Sequence, residues 1–152
     1  MTLNLEQIKE IIPHRDPFLL IDEVTELEPG VRATALKHLT GDEYWFKGHF
    51  PQQPVQPGVL MLEMLAQTGA VCALSLPENR GRIAYFGGLD KVKFRNMVFP
   101  GDTLKLEVEI IRSRGSVGVG KGIATIVESG KKAVSAELTF ALGDAGTSAK
   151  SE

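Results

Sequence analysis

Three residues in this 152-residue chain have types and spacing that could do chemistry together. His49 stands in Gly48-His49-Phe50-Pro51-Gln52-Gln53-Pro54-Val55-Gln56-Pro57-Gly58, which runs directly into Val59-Leu60-Met61-Leu62-Glu63. Pro51, Pro54 and Pro57 each lock a backbone angle and remove an N–H donor, so the loop is stiff. Histidine titrates near neutral pH and can take and return a proton. An isolated loop histidine is more often bonded to backbone for structure, but stiffness helps only a base that must keep its aim. Glu63 is the lone acid among Leu62, Met64 and Leu65, where an ionised carboxylate is costly unless it shifts its pKa or finds a partner. It could snorkel to the helix end or pair with an arginine. Alternatively, Gln67, four residues on and on the same face, could orient it as a proton donor with a raised pKa. Gly58 begins the apolar helix. A helix start presents unpaired N–H groups and partial positive charge. With no Cβ, glycine would let a carbonyl oxygen come close, an interaction worth about 3 kcal/mol for a developing oxyanion. Gly58 as a plain turn element after Pro57 is an equal reading. A base, an acid and an oxyanion donor are the parts of an elimination catalyst.

These parts need elements to hold them. Val59 to Leu76 is the longest apolar stretch, long enough to span a membrane. Glu63, Gln67, Thr68 and Ser75 interrupt it, which favours a helix enclosed by protein and ending before Pro77. Leu3, Leu5, Ile8, Ile11 and Ile12 predict a short amphipathic helix with Asn4 as its N-cap and Pro13 as its stop. Strands are expected at Phe18 to Val24, Val31 to Leu39, Arg82 to Leu89 with a bulge at Gly87-Gly88, and Thr103 to Ile110. A last hairpin runs from Val117 to Val127 and from Lys132 to Leu142. Gly118, Gly120 and Gly122 alternate along a strand with no helix after them, so close backbone packing is expected rather than a phosphate loop. One long helix among about six antiparallel strands makes an α+β domain over residues 1–142, with the sheet wrapped around Val59, Leu60, Leu62, Leu65, Val71 and Leu74. Residues 143–152 are small and polar and are expected to form a disordered tail.

Composition narrows the function classes. Seventeen cations against 19 anions leave a net charge of −2, so no bulk field recruits nucleic acid or an anionic membrane. The single cysteine, Cys72, excludes an internal disulfide framework and fits a reducing, cytoplasmic setting. Inside the apolar helix it reads as a small buried hydrophobe. The first residues show no signal-peptide pattern. His14 and His38 have no ligand-like spacing to Cys72 or to each other, and no metal is expected.

The residues Gly48-His49-Phe50-Pro51, Pro54-Val55, Pro57-Gly58-Val59-Leu60, Glu63 and Ala66-Gln67 resemble the motif of (3R)-hydroxyacyl-acyl-carrier-protein dehydratases of the FabZ type. Pro13-His14-Arg15-Asp16-Pro17-Phe18-Leu19-Leu20, Asp90-Lys91-Val92-Lys93-Phe94-Arg95 and Pro100-Gly101-Asp102 resemble the family's other signatures. Asn96-Met97 stands where the family often has Arg-Pro, a difference that bears on the local loop. The resemblance implies a hotdog fold, dimers with a continuous sheet, and commonly three dimers in a hexamer. It implies that His49 of one subunit faces Glu63 of its partner, and that the Val55 carbonyl holds the imidazole tautomer. The implied reaction is dehydration of a β-hydroxyacyl thioester on the phosphopantetheine of acyl carrier protein, with no other cofactor, in fatty acid biosynthesis. His49 would take the α-proton, Gly58 would polarise the carbonyl, and Glu63 would supply the proton for the leaving water or position that water.

An acyl chain needs an apolar tunnel. Phe86, Phe94, Met97, Phe99, Leu60 and Met64 are candidates for its wall, though each judged alone reads sooner as plain core than as tunnel, and the resemblance makes Phe86 a gate. Carrier proteins are acidic. Lys91, Lys93 and Arg95 alternate, so they would share one strand face as a docking site or as a solvated face. Three rival functions stand beside this reading: a thioesterase of the same fold, a dehydratase that also isomerises the double bond, and a non-catalytic acyl-binding subunit. Relatives of the isomerising kind mostly carry Asp at the position of Glu63.

Overall fold

The computed structural model describes residues 1–144. Helix α1 spans Leu5–Ile11, and its start follows from local chemistry. The Asn4 side chain accepts from the Gln7 N–H at 2.9 Å, and the Gln7 side chain accepts from the Asn4 N–H at 2.8 Å, a reciprocal capping box. Helix α2 spans Gly58–Leu74 and starts directly after Pro57. It has few β-branched residues, and the Thr68 hydroxyl donates to the Met64 carbonyl within the helix.

Six strands form one antiparallel sheet: β1 (Glu23–Glu28), β2 (Arg32–His38), β3 (Ala84–Phe94), β4 (Thr103–Arg114), β5 (Val117–Ile126) and β6 (Lys132–Leu142). Their order across the sheet is β1-β2-β4-β5-β6-β3. The sheet wraps α2, which packs on strands along its whole width. Met64, Leu65, Val71, Cys72 and Leu74 have no solvent exposure. Burying a side chain of the Leu or Val size contributes about 1.5–3 kcal/mol, so this helix dominates the core. At Gly122 a Cβ would meet Leu138 at 2.9 Å and Leu65 at 3.2 Å, so the glycine lets α2 sit close on the sheet.

Three elements depart from the sequence expectation. The strand expected at Phe18–Val24 begins only at Glu23. Before it, the Gln67 side chain takes the backbone groups a strand partner would take: Leu20 N–H donates to Oε1 and Nε2 donates to the Phe18 carbonyl, both at 2.8 Å. Val59 is 68% exposed rather than enclosed, because it faces outward on the first turn of α2. The long loop before α2 contains a 3₁₀ turn, Tyr44–Lys47, that buries Trp45 and Phe46. The bulge expected at the paired glycines lies between Phe86 and Gly88.

The two sheet edges differ. Leu3 exchanges backbone hydrogen bonds with Val24 and covers part of β1. Strand β3, eleven residues long, is bare among the described residues and exposed along nearly its whole length, including Tyr85, Phe86 and Leu89. The tail expected beyond Leu142 lies, from residue 145 on, outside the described residues. Gly143 is held, its N–H on the Ile83 carbonyl and its carbonyl on the Arg82 guanidinium, each at 2.7 Å. No helix among the described residues is long and apolar enough to cross a membrane.

Candidate active site

The loop carrying His49 is pinned from both sides. Trp45 Nε1–H donates to Gln56 Oε1 at 2.9 Å, the Gln56 N–H donates to the Val98 carbonyl at 2.8 Å, and Gln56 Nε2 donates to the Pro57 carbonyl at 3.2 Å. Gln56 is 3% exposed, so this amide acts as a buried brace between the 3₁₀ turn, the loop and the chain after β3. Sequence reasoning passed over it; the signal available was an amide enclosed by Val55 and Pro57. Within the loop, Val55 N–H donates to the His49 carbonyl, and His49 Nδ1 lies 2.8 Å from the Val55 carbonyl. A carbonyl can only accept, so Nδ1 carries the proton and Nε2 keeps its lone pair as the basic nitrogen. The His49 and Phe50 rings stack at 4.2 Å across a cis peptide bond.

Glu63 sits one turn into α2 with its side chain 17% exposed. Burial raises its pKa, and the hydrogen bond from Gln67 works against that rise. Gln67 Nε2 donates to Glu63 Oε2 at 3.0 Å. Because Gln67 Oε1 must accept from Leu20, the amide cannot turn, and the donor stays on Glu63. Among the described residues no arginine pairs with this carboxylate; its ionisable neighbour there is His14, with Nε2 3.7 Å from Glu63 Oε2.

His49 and Glu63 line different cavities. Glu63 faces an apolar cavity of about 280 Å³ with His14, Phe18, Tyr85, Phe86 and Phe140. His49 lines an open groove of about 550 Å³ with Gly58, Val59, Phe94, Arg95 and Met97. The candidates for one tunnel wall are thus divided: Phe86 is with Glu63, Phe94 and Met97 are with His49. Met64 has no exposure and is core, and Phe99 lies in a separate surface hollow with Met97. The reason is topological, since Phe86 and Phe94 sit at opposite ends of β3.

Gly58 is needed for a close approach. A Cβ there would meet Phe94 Cε1 at 2.5 Å and Cδ1 at 2.7 Å. Gly58→Ala should push the Phe94 ring off the helix start and cost about 1–2 kcal/mol. Thermal unfolding checks this: Tm should drop in Gly58→Ala and recover when Phe94→Ala is added.

The three cations do not share a regular strand face. The register of β3 on β6 slips between Asp90 and Lys93, and Lys91 takes a positive φ of 51°. The extra residue breaks the alternation, and Lys91 Nζ turns to Glu137 at 3.3 Å. Lys93 and Arg95 remain exposed, and Arg95 follows the end of β3 at the rim of the His49 groove.

The FabA-like domain family matches residues 12–137. The chain is 57% identical over 143 residues to the 3-hydroxyacyl-[acyl-carrier-protein] dehydratase FabZ of Clostridium novyi, covering 94% of this chain and 99% of the relative. It is 58% identical over 142 residues to FabZ of Bacillus subtilis, covering 93% and 99%. It belongs to the FabZ family. The fold agrees with solved structures that share little sequence with this FabZ-family chain. The dehydratase heterocomplex ApeI:P from Xenorhabdus doucetiae matches with TM-score 0.73 and 16% identity over 90% of this chain and 91% of that one. A hypothetical thioesterase with coenzyme A from Streptococcus pneumoniae matches with TM-score 0.58 and 11% identity over 82% and 87%. This is the hotdog fold.

Proposed function

We propose that this protein dehydrates (3R)-hydroxyacyl thioesters on acyl carrier protein to the trans-2-enoyl thioesters, in fatty acid synthesis in the cytoplasm. The observation that carries the residue roles is the division of the site: each chain holds a base groove and an acid cavity at opposite ends of one bare strand. Antiparallel pairing of β3 with the β3 of a second copy would satisfy the exposed edge and continue the sheet. It would also set the Phe94 end of one copy against the Phe86 end of the other, bringing His49 of one chain to Glu63 of its neighbour. Two such sites would form per dimer, and three dimers would make a hexamer. The exposed Val59, Phe94 and Met97 would then be covered.

The chemistry follows from the held atoms. The Gly58 N–H at the start of α2 polarises the thioester carbonyl and acidifies the α-carbon. His49 Nε2 removes the α-proton, and Val55 steadies the imidazolium through Nδ1–H. Glu63, whose pKa burial raises, gives its proton to the β-hydroxyl, which leaves as water. Phe86 gates the cavity in which the acyl chain lies, with Phe94 and Met97 of the second copy at its mouth. The only carrier needed is the phosphopantetheine arm. Purified protein with a (3R)-hydroxyacyl thioester tests this by following enoyl absorbance and free thiol together. Enoyl product without thiol, lost in His49→Ala, is expected; thiol release would move the reading to a thioesterase.

Lys93 and Arg95 dock the acidic carrier. Exposed ion pairs are worth about 0.5–1 kcal/mol each, so reversing both charges should raise KM for carrier-bound substrate about tenfold. A small thioester analogue should keep its KM. An equal effect on both substrates would refute docking.

A further inference from the structure

His14 is a half-buried histidine that the reaction above does not use. Its Nδ1 is buried with no hydrogen-bond partner among the described residues, and its Nε2 points at Glu63 Oε2 from 3.7 Å. A leucine or phenylalanine would fill the same space without placing a polar ring nitrogen beside a carboxyl oxygen, so packing alone does not account for the imidazole. The backbone segment that carries the ring is tied on both sides. The Arg15 guanidinium donates to the carbonyls of Lys9, Ile12 and His14, tying the end of α1 to this segment. On the other side, Gln67 ties Phe18 and Leu20 to α2 with the same amide that bonds Glu63. One buried amide therefore sets both Glu63 and the segment that carries His14.

We propose that His14 is a positioning residue: its Nε2–H donates to Glu63 Oε2 and, with Gln67, turns the other carboxyl oxygen toward the substrate. Both donors converge on Oε2, which leaves Oε1 for the cavity. The tautomer follows from the surroundings, since a proton on Nε2 faces a carboxyl oxygen and a proton on Nδ1 faces nothing. Catalytic hydrogen bonds are often long in a resting site and tighten when substrate binds, so 3.7 Å is within reach of a small side-chain rotation. His14 resists protonation because of burial and then because of Arg15. The neutral ring that this shift favours would orient Glu63 without drawing the proton off it. The titratable residues lining this cavity are His14, Glu63 and Tyr85, and His49 of a second copy joins them in the dimer of the proposed function.

The inference deepens the proposed dehydratase reading, and its test separates the two. A donor to the carboxylate lowers its pKa, so removing the donor raises it. In His14→Leu, the Glu63 carboxyl, followed by ¹³C NMR in the substrate-free protein and assigned with Glu63→Gln, should titrate about one pH unit higher. The alkaline fall of kcat/KM, where Glu63 loses the proton it must donate, should move up with it. His14→Gln, which carries an N–H close to the position of Nε2, should restore both. An unmoved Glu63 titration in His14→Leu would overturn the proposal. Should that variant fail to fold, His14→Asn replaces it. Its shorter amide falls short of Glu63, so Asn and Gln variants with the same Glu63 titration would overturn the proposal equally. A shifted titration in a protein without dehydratase activity would uphold the role of His14 and overturn the reaction.

Discussion

Replacing His49 with alanine should lower kcat/KM by about a thousandfold, within the range of a general base. The fold should survive, because the substitution removes one side-chain bond to the Val55 carbonyl, worth about 1 kcal/mol. The loop keeps its backbone bonds and the Gln56 brace. The informative experiment mixes this variant with Glu63→Ala. If each site takes His49 from one chain and Glu63 from the other, neither parent dimer has an intact site. A mixed dimer has one intact site and one doubly empty site. Random exchange makes half of the dimers mixed, so about a quarter of wild-type activity should return, as two-fold symmetry requires. Proven subunit exchange without any recovery would show that both groups act within one chain. That result would conflict with the separate cavities that hold His49 and Glu63 here.

Glu63→Gln should combine a comparable loss of activity, about a hundredfold or more, with a gain in stability at neutral and alkaline pH. Burial raises the folded-state pKa of Glu63 above the ordinary 4.5. As pH climbs from that value, the unfolded chain loses its proton while the folded chain keeps it. Unfolding is then favoured progressively, up to the folded pKa, and above it the penalty is constant. Glutamine has no such titration and can still accept from Gln67. The Tm of Glu63→Gln minus that of wild type should therefore be small near pH 4, grow as pH rises, and level off. A flat difference from pH 4 to pH 9 would remove the claim that this carboxyl is strained by burial. His14 has the opposite slope: its lowered pKa means that stability falls as pH drops below the ordinary 6.5.

Much of this molecule was legible in the chain because it depends on near neighbours. The Asn4 cap, the start of α2 at Gly58, the β5–β6 hairpin and the bulge beside Gly87-Gly88 all follow from residues within a few positions of one another. The reactive groups were legible for the same reason: three prolines around a histidine, and an acid with a glutamine one turn on, announce a cost that only a function offsets. The family motif then supplied the reaction.

What the chain order hides is which distant segments meet. Gln67 meets Phe18 and Leu20 across 49 and 47 positions, which turned an expected strand into a tethered segment and delivered His14 to Glu63. Phe86 and Phe94 are eight positions apart on one strand, yet the length of that strand sends them to two cavities. A one-residue slip at Asp90–Lys93 turned Lys91 to Glu137 and broke an alternation that looked regular. Periodicity reports which face of an element is apolar, and composition reports that a core exists. Neither carries the register and closure of the sheet. That closure decided which side chain stands beside the buried acid and placed β3 at an edge of the sheet.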